Sequence, residues 1–133
     1  MTGLAGALIA LGASPAHAVV AAAGPGSFTA GYLTPVVAVP KGGPLTFVNH
    51  DVADHSVTAK ALLSRKVAKK TAYCKSYTPT SCPLFTSAVI VGGESGAVQG
   101  LGNAKPGRHY EFACRVHGNM RGILVVAGSG SSR

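Results

Sequence analysis

The chain has 133 residues, of which 47% are hydrophobic and only 6% aromatic, and it contains 18 glycines and 8 prolines. This length provides for one small domain with many turns and makes a second domain improbable. Twelve lysines and arginines against four acidic residues give a net charge of +8, but the basic residues are scattered, few aromatic residues lie among them and no recognition motif is present, which excludes nucleic acid as a partner.

The first 18 residues predict a secretory signal peptide. A short apolar run at 4–12 is followed by Pro15 and by the small-residue pattern Ala16-His17-Ala18, so we expect cleavage after Ala18. No basic residue precedes the apolar run. An uncut anchor is the alternative, disfavoured because a spanning helix needs about 20 apolar residues. Export to the periplasm or secretion follows from the signal peptide. We expect residues 19–27 to form a flexible lead and residues 128–133 a flexible tail.

Short β-rich runs alternate with turn signals over residues 28–127, which predicts one all-β domain with a Greek-key β-sandwich. Apolar and basic residues alternate over 60–70 in a pattern compatible with one short helix, with an exposed loop as the alternative. The predicted strands lie at 28–33, 36–39, 45–49, 55–59, 88–91, 97–101, 109–114 and 123–127.

Cys74 and Cys82 flank a polar, turn-rich stretch of seven residues, K-S-Y-T-P-T-S. In an oxidising compartment such a pair is normally bridged, so we predict a disulfide that stabilises the fold by roughly 2–3 kcal/mol. The alternative is a pair of reduced thiols that serve as extra metal ligands. It is disfavoured because no histidine lies nearby in the sequence and the third cysteine, Cys114, has a separate role.

One short loop combines three candidate metal ligands: a thiolate, an imidazole and a thioether. Cys114, His117 and Met120 follow a C-x-x-H-x-x-M pattern between two predicted strands, and His55 opens another predicted strand far upstream. Two imidazoles and a thiolate in a trigonal plane, with a methionine sulfur at a long axial distance, form a blue-copper electron-transfer site. The sequence therefore predicts one copper ion held by these four residues and a protein that carries single electrons.

Alternation along the strand predicted at 109–114 places every second residue towards the core. The inward residues are Tyr110, Phe112 and Cys114. His109 points the other way, and we expect both His109 and His50 at the surface rather than at the metal. Gly118 and Gly122 would allow the backbone to turn sharply around a bound ion.

These motifs resemble those of the cupredoxins, the type 1 blue copper proteins that include plastocyanin and azurin. The resemblance covers residues 44–58 and continues from residue 107 to the C-terminal strand, and the short ligand loop is similar to that of amicyanin. Two features depart from the family pattern. Ser56 stands where these proteins often have asparagine, and the basic segment that contains Cys74 and Cys82 has no counterpart in the small members.

The resemblance implies a role for each candidate ligand. His55, Cys114 and His117 would be the strong ligands and Met120 the weak axial one. It also implies that the backbone N–H of Ser56 donates a hydrogen bond to the Cys114 sulfur and tunes its donor strength.

The resemblance also implies that His117 reaches the surface through an apolar patch and is the electron port, with Gly118 and Asn119 on its rim. The net charge of +8 favours a redox partner protein with an acidic docking face, and contact with an anionic membrane surface is a second option. We expect the lysines of residues 60–75 to provide the electrostatic attraction. The protein is expected to be a monomer.

Other functions stay open at this point. A periplasmic copper carrier that delivers its ion to another protein would use the same four ligands. Zinc suits thiolate and imidazole, but it gains little from a thioether. Catalytic copper would require a second metal centre, so we expect an electron carrier and not an enzyme. A metal-free, disulfide-stapled adhesion module would bind no copper.

Overall fold

The computed structural model describes residues 19–128, which form a β-sandwich of two sheets. The predicted all-β fold is confirmed. The predicted signal peptide and residues 129–133 of the predicted tail lie outside the described residues. The first sheet has the order β1-β3-β5 and consists of β1 (Val20–Ala23), β3 (Thr46–Asn49) and β5 (Ser95–Ala97). The second has the order β2-β7-β6-β4 and consists of β2 (Val36–Val39), β4 (Thr58–Ala59), β6 (His109–Ala113) and β7 (Arg121–Val126).

The two sheets share one core because their strands alternate buried and exposed residues. In β7, for example, Gly122, Leu124 and Val126 are buried while Arg121 is exposed. Phe47 of the first sheet and Phe112 of the second are fully buried in the same cluster. Burial of each such large side chain stabilises the fold by roughly 1.5–3 kcal/mol.

The helices are short. A single turn, α1 (Ser27–Ala30), lies between Gly26 and Gly31, whose φ angles of 79° and 91° are accessible mainly to glycine. The second helix, α2 (Arg65–Lys70), begins after Ser64, whose side chain accepts a hydrogen bond from the Val67 N–H. Two 3₁₀ turns follow α2 in the chain, at Ala72–Ser76 and Leu101–Asn103. Among residues 19–128, no helix is both long enough and apolar enough to cross a membrane.

Residues 60–82, hereafter the basic segment, form a small unit attached to the sandwich. The predicted helix within 60–70 is confirmed as α2, and the predicted disulfide is confirmed because Cys74 and Cys82 are bonded, with their Cα atoms 5.5 Å apart. The segment has its own buried cluster, made of Leu63, Ala68 and the two disulfide cysteines. A core this small depends on the disulfide to hold it together.

The prediction of a flexible lead at 19–27 is wrong, and so is the start of the domain at residue 28. Strand β1 pairs in parallel with β3, with Ala21 opposite Phe47, and both Ala21 and Ala23 are fully buried. An Ala- and Gly-rich composition is typical of linkers. Here the small side chains lie beside Phe47 of β3. This partner strand lies 26 residues further along the chain.

The strand predicted at 28–33 is also wrong, because its first residues belong to α1. Phe28 is 50% exposed and lies on the surface, while Tyr32 enters the core.

Three further strands are shorter than predicted or absent. The run 55–59 forms a strand only at Thr58–Ala59, and the run 88–91 contributes one bridge, between Ile90 and His55. Strand β5 ends at Ala97, where the strand at 97–101 was expected to begin, and residue 101 starts a 3₁₀ turn. Each run has strand-like composition, but outside β4 and β5 these runs pair through isolated bridges.

Candidate metal centre

The predicted ligands lie on two loops at one end of the sandwich. Strand β6 ends at Ala113 and presents Cys114, and strand β7 begins at Arg121, so residues 114–120 connect two paired antiparallel strands. His55 lies on the loop before β4, where its backbone exchanges two hydrogen bonds with Ile90, at 3.1 and 2.7 Å. The framework therefore fixes the backbone of both loops.

Three donor atoms converge at this end. His55 Nδ1 lies 3.7 Å from Cys114 Sγ and 3.2 Å from His117 Nδ1, and the Cys114 Sγ to His117 Nδ1 distance is 3.9 Å. His55 is fully buried, Cys114 is 3% exposed and His117 is partly exposed. The three residues form the one group found in residues 19–128 that could hold a metal ion.

These separations fit a single ion. With the bond lengths known for zinc, about 2.0–2.1 Å to imidazole and about 2.3 Å to thiolate, two ligand nitrogens lie roughly 3.3–3.6 Å apart and each lies roughly 3.6–3.8 Å from the sulfur. The three observed distances are within a few tenths of an ångström of these values. Soft thiolate with two imidazoles is a donor set that suits copper as well as zinc.

Met120 lies beside this group and is fully buried in the same cluster as Cys114. Its N–H donates to the His117 carbonyl at 2.9 Å, and its carbonyl accepts from the Cys114 N–H at 3.2 Å. The second bond closes the ligand loop on itself.

Two backbone N–H groups point at the Cys114 sulfur. Ser56 and Val116 each donate to Sγ at 3.4 Å. The predicted hydrogen bond from Ser56 is confirmed, and the bond from Val116 was not anticipated from the sequence. Hydrogen bonds from N–H groups stabilise negative charge on a buried sulfur. Both donors can therefore tune how strongly the Cys114 sulfur donates to a metal.

Ser56 also joins the two ligand loops through its side chain. Its Oγ accepts from the Arg115 N–H at 2.9 Å and lies 2.9 Å from Thr58 Oγ1. Its carbonyl accepts from the Tyr32 hydroxyl at 2.5 Å. Burial raises the pKa of Tyr32, and the nearby Cys114 adds to the rise, so this hydroxyl stays protonated and remains a donor. Serine at this position is therefore an integral part of the site.

The outer edge of the His55 ring contacts a carboxylate. His55 Nε2 lies 2.6 Å from Asp51 Oδ2, and both side chains are almost completely buried. The hydrogen bond to His55 holds the pKa of Asp51 below its usual range, with help from the backbone N–H groups of Val52 and Gly26. The sequence showed Asp51 four residues before a candidate ligand, but the spacing alone does not reveal a contact between the two side chains.

His117 lies at the surface beside α1. The Phe28 ring centroid is 5.8 Å from that of His117, and the Asn119 amide donates to the Phe28 carbonyl at 2.6 Å. Phe28 and Val116 are each about half exposed, at 50% and 49%, so apolar surface borders the imidazole. Phe28 could not be placed here from the sequence, because its region has the pattern of a strand.

The remaining expectations concern the histidines and glycines. His50 and His109 are exposed, as predicted. Gly118 lies in the turn of the ligand loop, whereas Gly122 lies in β7 and not in the loop, and neither has a positive φ. Gly122 is constrained by space instead, since a Cβ there would lie 2.4 Å from the Phe112 ring.

Comparison with known proteins identifies the fold. No family model matches this sequence, and no curated protein matches it either. Among solved structures, the chain is similar to a purple cupredoxin from Nitrosopumilus maritimus, with 15% identity, a TM-score of 0.56 and coverage of 81% of this chain and 98% of that one. It is also similar to a reduced amicyanin variant, with 18% identity, a TM-score of 0.54 and coverage of 86% and 87%. The chain therefore has a cupredoxin-like fold.

Proposed function

We propose that this protein binds one copper ion and carries single electrons between redox partners. His55, Cys114 and His117 are the strong ligands and Met120 is the weak axial ligand. Copper supplies the one-electron couple, and the chain supplies a fixed, largely buried set of donors. The similarity to a cupredoxin and to amicyanin supports the proposal at the level of the fold.

The observation that carries the proposal is the convergence of one thiolate and two imidazoles behind a closed loop. The donor atoms lie within 4.8 Å of one another, and hydrogen bonds from two backbone N–H groups hold the sulfur. A donor set whose backbone is fixed by hydrogen bonds changes little between Cu(II) and Cu(I). Preorganisation of this kind reduces the rearrangement that accompanies each electron transfer.

The first test is reconstitution of the purified protein with Cu(II). We expect one equivalent to bind and to give the intense visible band of thiolate-to-copper charge transfer, which the Cys114→Ser variant should lose. His109→Gln is the matched control, because His109 is exposed at the opposite end of β6. A colourless Cu(II) complex, or preferential binding of zinc, would contradict the proposal.

Voltammetry separates an electron carrier from a copper carrier. Reversible oxidation and reduction with the metal retained supports electron transfer, whereas rapid loss of Cu(I) to a chelator supports delivery to another protein. The full burial of His55 and the 3% exposure of Cys114 favour retention, since a competing ligand has little access to either residue.

His117 is the proposed electron port, because it is the partly exposed member of the ligand group and apolar side chains border it. We expect His117→Gly to open a coordination position that added imidazole fills, seen as a change in the visible spectrum. His50→Gly, which removes an exposed histidine, should not respond to imidazole. Unchanged electron-transfer rates in His117→Gly without imidazole would place the port elsewhere.

We further propose that the redox partner has an acidic face that docks near the basic segment. Residues 60–75 contain six basic residues and no acidic one, and all six are exposed: Lys60, Arg65, Lys66, Lys69, Lys70 and Lys75. The Arg115 guanidinium lies 5.0 Å above the Tyr77 ring. The residue that follows Cys114 thus contacts the basic segment, which places this charge next to the ligand loop.

Oxidation of the Cu(I) protein by the anion hexacyanoferrate(III) tests this surface. We expect Lys69→Gln/Lys70→Gln to lower the bimolecular rate at low salt, with the difference disappearing at high salt. Lys105→Gln/Arg108→Gln removes the same charge at the far end of β6 and should have a smaller effect. Equal effects of the two pairs would show that net charge alone matters.

We also propose that the protein is exported from the cytoplasm. The disulfide between Cys74 and Cys82 supports export, since such bonds persist in oxidising compartments. Cell fractionation of the source organism, with the mature N-terminus determined by mass spectrometry, tests both export and the predicted cleavage after Ala18.

A further inference from the structure

The buried His55 ring is held from both edges. Its Nδ1 faces the Cys114 sulfur and the His117 ring, and its Nε2 meets the Asp51 carboxylate at 2.6 Å. An ionised carboxylate can only accept a hydrogen bond, so Nε2 must carry the proton that is shared. The contact leaves the lone pair of a neutral ring on Nδ1, which is the atom that faces the other two donors.

The carboxylate is itself fixed by the backbone. Asp51 Oδ1 accepts from the Val52 N–H at 2.8 Å, and the Asp51 N–H donates to Asn49 Oδ1 at 3.0 Å. The Asn49 amide in turn donates to the carbonyls of Ala53 and Ile90, at 2.8 and 2.9 Å. Asn49 is fully buried on β3. Asp51 is thus held by hydrogen bonds that reach the first sheet through Asn49, and these bonds do not involve the ligand loop at residues 114–120.

We propose that Asp51 is a positioning residue that fixes His55 as an Nδ1 ligand and makes the site favour Cu(II) over Cu(I). The inference rests on the proposed function. A buried negative charge next to a ligand is only weakly screened by water. It stabilises Cu(II) more than Cu(I), because Cu(II) carries one more positive charge. Carboxylate partners of metal-bound histidines also raise the basicity of the ring and fix its tautomer.

Asp54 provides a matched control. It lies three residues further along the same loop and carries the same charge, but it is exposed, so water and salt screen it. Replacing either aspartate with asparagine removes one negative charge from the loop. Asp51→Asn keeps an oxygen that can accept the His55 Nε2 proton, so this variant tests the charge more than the shape.

The experiment compares Cu(II) affinity and reduction potential in the wild type, Asp51→Asn and Asp54→Asn. We expect Asp51→Asn to lose about 10- to 100-fold in Cu(II) affinity. A tenfold loss confined to Cu(II) corresponds to a rise of about 59 mV in the potential. Asp54→Asn should match the wild type, and Asp51→Glu should recover part of the loss. Equal potentials in Asp51→Asn and Asp54→Asn would overturn the inference.

A second measurement needs no variant. In ¹⁵N NMR spectra of the Cu(I) protein, His55 should carry its proton on Nε2, and this proton should exchange far more slowly than a ring proton of exposed His109. A His55 Nε2 without a proton, or one whose proton exchanges as fast as that of His109, would overturn the inference even if Asp51→Asn fails to fold. Failure of the wild type to bind copper would instead refute the proposed function.

Discussion

Replacing Ser56 with alanine tests whether the two ligand loops are joined before metal binds. The Ser56 hydroxyl accepts the Arg115 N–H at 2.9 Å, and this bond links residues 59 positions apart. Ser56 is fully buried. Alanine keeps the backbone N–H that donates to Cys114 Sγ, so the change removes the side-chain link between the loops and leaves the backbone link to the sulfur.

The size of the effect follows from the groups that lose a partner. Thr58 Oγ1 also bonds to Thr86 Oγ1, at 2.9 Å, so it keeps one partner after the change. The hydrogen bond from the Arg115 N–H is partly buried although Arg115 itself is exposed, and this N–H has no second acceptor among the hydrogen bonds of the described residues. An unsatisfied buried donor costs about 1–3 kcal/mol. We expect a value of about 1–2 kcal/mol, because water can reach a partly buried group.

The assay is thermal and denaturant unfolding of the metal-free protein. For a domain of this size, each 1 kcal/mol lowers Tm by about 4–8 °C, so the Ser56→Ala variant should melt several degrees below the wild type. Ser95→Ala, at an exposed position in β5, should change stability by less than about 0.5 kcal/mol. If the Ser56→Ala protein is as stable as Ser95→Ala, the hydrogen bond from Arg115 to the Ser56 hydroxyl does not stabilise the metal-free protein.

Two further predictions concern the framework around the site. Cys74→Ala/Cys82→Ala should lower the free energy of unfolding by about 2.5 kcal/mol, the chain-entropy value for so short a loop; denaturant unfolding measures it, and an unchanged midpoint would show that the basic segment folds without its disulfide. Gly122→Ala should cost about 1–3 kcal/mol, because its Cβ would lie 2.4 Å from the Phe112 ring and 2.9 Å from the Pro35 carbonyl oxygen. Gly118→Ala is the control, since no atom lies within 4 Å of a Cβ there, and equal losses in the two variants would contradict the steric explanation.

Four of the seven strands within residues 19–128, namely β2, β3, β6 and β7, could be predicted from local pattern alone. Two strands of the second sheet, β2 and β7, are rich in β-branched residues, and β2 has the bounds predicted from the sequence. Strand β1 could not be predicted because these residues become a strand only by pairing with β3. Val20 and three alanines form a strand here because they pair in parallel with β3, where Ala21 lies opposite the buried Phe47. No local signal in the sequence reports such a distant pairing.

The candidate ligands could be predicted for a different reason. Cys114, His117 and Met120 lie within seven residues, so their chemistry is visible as a motif. The groups that contact the ligands have ordinary local sequence, and one of them comes from a distant part of the chain. Phe28 reaches His117 from α1, and Asp51 reaches His55 by a loop conformation that the buried Asn49 side chain fixes. These contacts depend on the tertiary fold.

The hydrogen bonds of the site lead to a conclusion about the order of folding and metal binding. In many small metal domains the ligands converge only when the ion binds, so the binding energy serves as folding energy. Here the shared core of the two sheets, the closure of the ligand loop by Cys114 and Met120, and the bond from Arg115 to Ser56 involve no metal. We therefore expect Cys114→Ser to unfold cooperatively like the metal-free wild type while binding copper far more weakly. Loss of cooperative unfolding in this variant would show that the thiol supports the fold as well as the site.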